Sequence, residues 1–469
     1  MATLSRRRFL EASAAGLGGL ALGPRSGGGE TKGERPNILF ILTDDQRFDT
    51  LGCAGNPIIQ TPQVDRLARE GVRFGRSFVT TPICAASRAS IFTSVFERTH
   101  GYTFTKPPLT RAFTSISYPV VLRRAGYRTG FVGKLGVAVE NGVEKEMFDF
   151  ARFTSLPHVQ TIGGVKRHMT EVEGESVVEF LRGVKPGQPF CLAWCPWAPH
   201  ADDDNPKQYF WPPAVDGLYR DVEIPVPEMA APSYYEAQPE FLKNTMSRTR
   251  WAWRFDTPEK YQAMVKGYYR MISGIDLVLG RITAELARLG LDRNTIILFT
   301  SDNGYFLGER GYADKWLMYE PSINVPLIVY DPRAPREDRG LVKKDLTLNI
   351  DLGPTIMDFA GVGMPPLIQG MSLRPLLGRR TPAWRAEIFC EELWDNPEIP
   401  QSECVRTERW KFIRYPKHPE YLELFDLQAD PEEKRNLAGN PLNAAALAEM
   451  RGSCDRWIRD LLEARKKFQ

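Results

Sequence analysis

Short apolar runs alternate with amphipathic segments through most of this chain, and this alternation limits the fold more than any other feature. NILFIL (37–42) is apolar throughout, as in a strand covered on both faces. The next segment, TPQVDRLAREG, has the threonine, proline and glycine that mark the two ends of a helix. The order helix, glycine, strand recurs in YPVVLRRAGYRTGFVGK and in GESVVEFLRGVKPGQPFCLAWCPW. We therefore predict an α/β fold with a largely parallel central sheet and helices on both faces.

The pattern changes at about residue 346, where three runs are typical of antiparallel strands and a closing helix follows them. The strand runs are AEIFCEEL, SECVRTERWKFIRYP and YLELFDL. We predict an N-terminal α/β domain over 34–345 and a smaller C-terminal α+β subdomain, with an antiparallel sheet, over 346–469. Residues 201–260 are rich in proline, acids and aromatics, which predicts an insertion over a ligand site.

The first 33 residues have a different character. SRRRFL precedes a Gly- and Ala-rich stretch that is too short to span a bilayer. This order predicts a twin-arginine signal and a linker over 1–33, and hence export to the periplasm or the cell exterior. The net charge of +3 originates in this segment. The remainder is electrically balanced, which argues against nucleic acid as a partner, and it contains no membrane span.

Polar side chains follow four of the predicted strands at their carboxyl ends, where open α/β sheets bind their ligands. These residues are Asp44, Asp45, Lys134, His200, Asp302 and Asn303.

Four of these residues form an oxygen-rich donor set, and three of the four are carboxylates: Asp44, Asp45, Asp302 and Asn303. Such a set suits a hard divalent cation, calcium or magnesium. A zinc phosphatase centre would need histidines, and none of the five histidines is adjacent to these acids.

Cys84 lies just ahead of the helix-like run SRASIFTSVF, in a chain whose seven cysteines are scattered and odd in number. The helix start favours an anion there, and Arg88 follows about one turn later. Lys134 and Lys315 add positive donors, and His200 is a candidate acid for a leaving oxygen. The pattern predicts a site for a tetrahedral oxyanion.

At this point the chain resembles the type I sulfatases, the formylglycine-dependent members of the alkaline phosphatase superfamily. The motifs that carry the resemblance are NILFILTDDQR, TPQVDRLAREGVRF, CAASRASIFTS, GYRTGFVGK, TSDNG, DKWLMYEPSINVPLIVY and ELFDLQADPEEKRNLA. The resemblance implies that Cys84 is converted to formylglycine by a separate enzyme, which is a transient partner. CAASR fits the C-x-A-x-R variant of the usual C-x-P-S-R motif.

The resemblance also implies a role for each candidate residue. Asp44, Asp45, Asp302, Asn303 and the modified Cys84 would bind one divalent cation, with calcium favoured over magnesium. The formylglycine hydrate would attack sulfur. Arg88 would hold that hydrate, Lys134 and Lys315 the sulfate oxygens, and His200 the leaving oxygen.

The sequence departs from the family pattern at Gly136, where G-K-x-H would place a histidine that assists sulfate release. His100 and His168 are stand-in candidates, and a structural role is the expectation for both. We predict an exported sulfuric ester hydrolase that acts on a sulfated small molecule or glycan, with a carbohydrate favoured. The aromatic residues of 201–260, Tyr209 among them, could stack on sugar rings, and ordinary packing is the alternative for them. The alternatives are a phosphonate or phosphate monoester hydrolase, and a sulfated-glycan binding protein without turnover.

Overall fold

The computed structural model describes residues 35–104 and 106–468. The predicted twin-arginine signal lies outside these residues. Among the residues described, no helix has both the length and the apolar character needed to cross a bilayer. All seven cysteines are unpaired.

The strands of the described residues are β1 Asn37–Thr43, β2 Val72–Phe74, β3 Ser77–Phe78, β4 Arg128–Gly133, β5 Phe150–Phe153, β6 Val159–Ile162, β7 Val165–His168, β8 Phe190–Cys195, β9 Thr295–Ser301, β10 Phe306–Leu307, β11 Ala313–Asp314, β12 Leu327–Tyr330, β13 Leu341–Lys343, β14 Thr347–Leu348, β15 Glu387–Glu392, β16 Ser402–Thr407, β17 Trp410–Arg414 and β18 Leu422–Asp426. The α-helices are Pro62–Glu70, Cys84–Thr93, Glu97–His100, Arg111–Thr114, Tyr118–Arg124, Glu144–Met147, Met169–Arg182, Pro232–Glu236, Glu240–Lys243, Met246–Arg254, Pro258–Arg288, Glu320–Ile323, Leu352–Phe359 and Ala444–Lys466.

The central sheet has eight strands in the order β13-β2-β12-β9-β1-β8-β4-β5. Strand β12 is antiparallel to both of its neighbours, and the other neighbouring pairs are parallel. The prediction of a largely parallel sheet is confirmed.

Strand β1 lies in the middle of this sheet, and all of its residues are buried. Successive side chains of a strand point to opposite faces. Leu39 and Ile41 pack with the helices Pro62–Glu70 and Pro258–Arg288. Ile38, Phe40 and Leu42 join the apolar cluster of the helices Cys84–Thr93 and Leu352–Phe359. Two covered faces explain why the run carries no polar alternation.

The predicted C-terminal antiparallel sheet is also present, with four strands in the order β15-β16-β17-β18. The closing helix, Ala444–Lys466, packs on it through Cys454 and Leu461. The boundary at 345/346 stays a prediction. Helix Leu352–Phe359, which follows that boundary, packs on a face of the central sheet.

Phe389, on β15, packs against aromatic rings from two other segments of the chain. Its buried ring stacks on Trp457 at 5.8 Å and lies 6.3 Å from Phe96. We expect Phe389→Ala to lower the free energy of unfolding by about 3–5 kcal/mol, because it leaves a cavity. Phe153→Ala, at a ring that is 50% exposed, should cost roughly 1 kcal/mol. Denaturant unfolding measures both losses, and equal losses would contradict the packing role of Phe389.

Candidate active site

Four neighbouring strands of the central sheet, β9, β1, β8 and β4, end at one edge. Asp302 and Asn303 directly follow β9, Asp44 and Asp45 follow β1, Lys134 follows β4, and His200 lies five residues beyond β8. The structure therefore brings these predicted residues together.

The oxygen donors from β1 and β9 contact one another directly. The Asp45 backbone N–H donates to Asp302 Oδ1 at 3.2 Å, and Asn303 Nδ2 donates to Asp45 Oδ1 at 2.6 Å. All four side chains are almost completely buried. Asp44 Oδ1 and Asn303 Oδ1 are buried and have no hydrogen-bond partner among the described residues. Unpaired buried acceptors of this kind are costly, and a hard cation would satisfy them.

Cys84 is the first residue of the helix Cys84–Thr93 and is 7% exposed. Arg88, one turn later, is fully buried, and its Nε donates to Asp302 Oδ2 at 2.7 Å. A second guanidinium nitrogen, Nη2, lies 3.9 Å from Asp44 Oδ2 and has no hydrogen-bond partner among the described residues. Burial raises the pKa of the Cys84 thiol, while Lys134 and Lys315 oppose that rise. An unmodified Cys84 would therefore be a poor thiolate nucleophile.

Two buried lysines pair with the two aspartates that follow β1. Lys134 Nζ donates to Asp44 Oδ2, and Lys315 Nζ donates to Asp45 Oδ1. Burial alone would raise the pKa of Asp44, but Lys134, His200, Arg88 and Lys315 hold that pKa below its ordinary value. The paired charges keep Asp44 ionised.

His200 completes this group. One ring nitrogen, Nδ1, lies 2.5 Å from the Ala201 carbonyl oxygen, and the other, Nε2, lies 3.7 Å from Asp45 Oδ2. Donor atoms of Asp44, Asp45 and His200 all lie within 4.8 Å of one another. The imidazole therefore lies beside the carboxylates of Asp44 and Asp45. The predicted role, an acid for the leaving oxygen, requires a position of this kind.

Sequence reasoning missed three groups that support the site. Trp197 places its ring 4.4 Å from Lys134 Nζ, and Arg254 pairs with Asp314 at 2.9 Å beside Lys315. Glu173 is buried near Arg88 and accepts a hydrogen bond from Thr154 at 2.7 Å. These residues follow no recognisable motif, and only the folded chain places them at the site.

Comparison with known proteins agrees with this geometry. The family described as sulfatase matches residues 36–362. This chain belongs to the sulfatase family. A second family, the C-terminal region of N-sulphoglucosamine sulphohydrolase, matches residues 308–459.

Named relatives of this sulfatase cover most of its length. It is 29% identical to an N-acetylglucosamine-6-O-sulfatase of Bacteroides thetaiotaomicron, over 87% of this chain and 83% of that one. It is 28% identical to an arylsulfatase of Clostridium perfringens, over 86% and 90% of the two chains. The predicted enzyme class, sulfuric ester hydrolase, is confirmed.

Solved structures show the same fold. An enzyme bound to its substrate D-glucosamine-2-N,6-O-disulfate has a TM-score of 0.76 at 26% identity, over 92% of this chain and 98% of that one. A phosphonate monoester hydrolase of Silicibacter pomeroyi has a TM-score of 0.74 at 23% identity, over 92% and 96% of the chains, and it shows the fold alone.

Gly136, where the family pattern has a histidine, lies against Arg88. Its φ is +68°, and a Cβ there would lie 2.8 Å from Arg88 Cδ. The Arg88 guanidinium also donates to the Lys134 carbonyl, two residues before Gly136. Arg88 thus occupies the space that a side chain at position 136 would need.

Neither stand-in histidine faces the site. His100 Nε2 lies 3.0 Å from Ser90 Oγ, and its Nδ1 accepts the Tyr102 N–H. His168 is bound to the Phe210 carbonyl and caps its own helix through Thr170. Both nitrogens of each ring are used in structural hydrogen bonds, as we expected for both residues.

The insertion at 201–260 packs beside the site through helix Met246–Arg254. Ser247 Oγ donates to the Lys315 carbonyl at 2.9 Å. Tyr209, a candidate for sugar contact by its composition, is instead buried and bonded to Tyr305 at 2.8 Å. For this ring, ordinary packing is the correct interpretation.

Gly136→His tests whether the family histidine can simply be restored. We expect at least a tenfold loss of kcat/KM on an aryl sulfate, because the new side chain would displace Arg88. Gly142→His is the matched control: its φ is +82°, and a Cβ there meets no heavy atom within 4 Å. That variant should lose only about 1 kcal/mol of stability and little activity. Faster turnover by Gly136→His would contradict the packing argument.

Glu173 predicts a specific pH dependence of stability. Burial raises its pKa from 4.5 to about 8, against the hydrogen bond from Thr154 and the charge of Arg88. Glu173 ionises near pH 4.5 in the unfolded chain and near pH 8 in the folded chain. The native state therefore loses stability as the pH rises between these values. The free energy of unfolding of Glu173→Gln should exceed that of the native chain by about 4 kcal/mol at pH 8 and by less than about 1 kcal/mol at pH 5.

Denaturant unfolding at the two pH values measures this difference. Glu175→Gln, at an exposed position of the same helix, should change little at either pH. A gain for Glu173→Gln that is the same at pH 5 and pH 8 would show that the titration of Glu173 does not cause it.

Proposed function

We propose that this chain is an exported sulfatase that hydrolyses a sulfate ester of a carbohydrate, using formylglycine made from Cys84 and one divalent cation, with calcium favoured over magnesium. The observation that carries the proposal is the convergence of Cys84, at a helix N-terminus, with buried carboxylates and buried cations at one sheet edge.

The charge balance of the site supports an anionic substrate. Three buried carboxylates face three buried cations: Asp44, Asp45 and Asp302 against Arg88, Lys134 and Lys315. A bound divalent cation would make the group net positive. A net positive, desolvated site suits a sulfate ester, whose oxygens repel nucleophiles unless their charge is neutralised.

The residues present fit such a cation. Asp44, Asp45, Asp302 and Asn303 would hold it, and two of their oxygens have no protein donor among the described residues. The ion would supply positive charge at the sulfate oxygens. Formylglycine at position 84 would supply the nucleophilic oxygen of its hydrate, which the buried Cys84 thiol does not.

The other side chains would position the sulfate ester and protonate its leaving oxygen. Arg88 donates hydrogen bonds through Nε to Asp302 and through Nη1 to the Lys134 carbonyl. Its remaining nitrogen, Nη2, lies on the side of Asp44. Lys134 and Lys315 carry ammonium groups that are able to contact the sulfate oxygens. His200 would donate a proton to the leaving alcohol oxygen, because its Nε2 faces the carboxylates.

The carbohydrate assignment rests on the relatives. One is named N-acetylglucosamine-6-O-sulfatase, and a solved structure holds a disulfated glucosamine. A phosphonate or phosphate monoester is the competing substrate, because it is a tetrahedral anion like a sulfate ester and a positively charged site would suit either. A multifunctional alkaline phosphatase superfamily protein of Trinickia caryophylli is 26% identical to this chain.

Co-expression with a formylglycine-generating enzyme tests the proposal. Mass spectrometry of the peptide spanning Cys84 should show the aldehyde, and the protein should hydrolyse sulfate esters faster than matched phosphate and phosphonate esters. Cys84→Ala should lower kcat/KM by about 10³-fold or more, because the nucleophile is lost. The control is Cys53→Ala, at a partly buried cysteine elsewhere in the chain. Full activity of protein with an unmodified Cys84 thiol would refute the proposal.

A further inference from the structure

One side of the site is apolar and borders the anion group directly. Ile83, Ala86, Trp316 and Ile399 form a buried cluster. Ile83 precedes Cys84 in the chain, and Trp316 follows Lys315. The Trp316 N–H donates to the Pro82 carbonyl at 3.1 Å, which ties the two segments together. The cluster therefore begins at the reacting centre.

The cluster continues outward through two more aromatic rings. Trp394 packs against it, and Phe104 lies against Trp394 with ring centroids 4.6 Å apart and an interplanar angle of 31°. Phe104 is 36% exposed, so this row of rings reaches solvent. Three separate parts of the chain supply Trp316, Trp394 and Phe104, which we call the aromatic wall.

Hydrogen bonds join the chain on either side of Phe104 to the loop that follows Lys134. The segment that carries Phe104 pairs with the loop after that lysine: Leu109 donates to the Ala138 carbonyl at 2.8 Å, and Ala138 donates to Tyr102 Oη at 2.9 Å. The wall thus begins at Trp316, next to Lys315, and its Phe104 segment pairs with the loop after Lys134.

Two backbone N–H groups anchor the segment that carries Trp394. Trp394 N–H donates to Glu392 Oε1 at 3.0 Å, and Met246 N–H donates to the Glu398 carbonyl at 2.9 Å. Trp316 has a φ of +80°, a conformation that bulky residues rarely adopt. Retained strain of this kind is typical of functional sites. A wall fixed in advance loses little entropy when a ligand packs on it.

Polar groups adjoin the wall. Helix Met246–Arg254 begins against the apolar cluster, and Arg250 and Arg254, farther along it, both pair with Asp203. The Asp203 side chain is 25% exposed. A pyranose presents an apolar C–H face beside hydroxyl groups, which matches both surfaces. An aryl ring would use only the apolar one.

This inference rests on the proposed function. We propose that Trp394 and Phe104, with the buried Trp316 behind Trp394, form a subsite that stacks on the pyranose ring bearing the sulfate ester. Trp394 and Phe104 determine specificity, and Trp316 positions Trp394. The subsite contributes affinity for the sugar and leaves the anion group to contact the sulfate.

Calorimetric titration of calcium-loaded protein tests the subsite without turnover. The full chain with Cys84→Ala is titrated with inorganic sulfate, phenyl sulfate and a panel of sulfated monosaccharides that includes N-acetylglucosamine 6-sulfate. We expect at least one sugar sulfate to bind more tightly than inorganic sulfate. Adding Trp394→Ala or Phe104→Ala should weaken that sugar about tenfold and change sulfate binding less than twofold.

Two matched variants control for loss of structure. Trp394→Phe keeps an aromatic face and should retain sugar binding within about threefold. Phe241→Ala disrupts another stacked aromatic pair, with His418 at 3.9 Å, outside the wall and should leave all affinities unchanged.

The outcomes separate this proposal from the proposed function. If every sugar sulfate binds no better than inorganic sulfate, or if Trp394→Ala weakens both equally, the sugar subsite is refuted while sulfatase turnover can still stand. If only phenyl sulfate responds to Trp394→Ala, the wall binds aryl rings and the proposal is wrong. Selective loss of sugar binding supports the subsite even where turnover assays of modified protein fail.

Discussion

The mutual pairing of six buried charges makes the rest of this site possible. Asp44 with Lys134, Asp45 with Lys315 and Asp302 with Arg88 are all almost completely removed from water. An isolated charge in this environment would be very unfavourable, whereas paired charges of both signs are tolerated. The parallel order β9-β1-β8-β4 places the three aspartates and Lys134 at one edge of the sheet. Arg88, on helix Cys84–Thr93, and Lys315, after β11, complete the pairs from outside that sheet.

The same pairing explains why the site is both charged and rigid. Each carboxylate that would hold a cation also fixes a basic side chain, so a change at one residue alters the charge of another. The Arg88 guanidinium is the clearest case, since it contacts Asp302, Asp44 and the Lys134 carbonyl at once. Gly136 follows from this arrangement. The absence of a side chain there gives Arg88 its space, so the departure from the family pattern is a packing feature of this chain.

The sequence alone predicted those features that depend on a repeating apolar pattern or on a short motif. The apolar runs predicted the central sheet because burial on both faces removes polar alternation, as in β1. Asp44 and Asp302 could be placed together because parallel strands end at one edge. Cys84 and Arg88 could be placed together because residues one turn apart share a helix face.

The remainder of the site could not be predicted, since it depends on contacts between distant segments. Glu173 lies on a helix whose sequence is ordinary, and its raised pKa comes from burial that no local pattern encodes. The aromatic residues of 201–260 suggested sugar contact by composition, yet Tyr209 is a core residue. The rings of the aromatic wall are instead Phe104, Trp316 and Trp394, which are far apart in sequence.

In the function that we propose, the charged group serves catalysis and the aromatic wall serves substrate binding. Uniform binding of the ground state and the transition state does not raise kcat, so charges directed at the sulfate must act mainly as the bond to the leaving oxygen breaks. A stacked sugar ring changes little during that step, so its contacts supply affinity, orientation and selection among sulfate esters. Trp316 follows Lys315 in the chain and packs with Ile83, the neighbour of Cys84. A ring held on the wall would therefore be positioned by the same segments that hold the reacting groups.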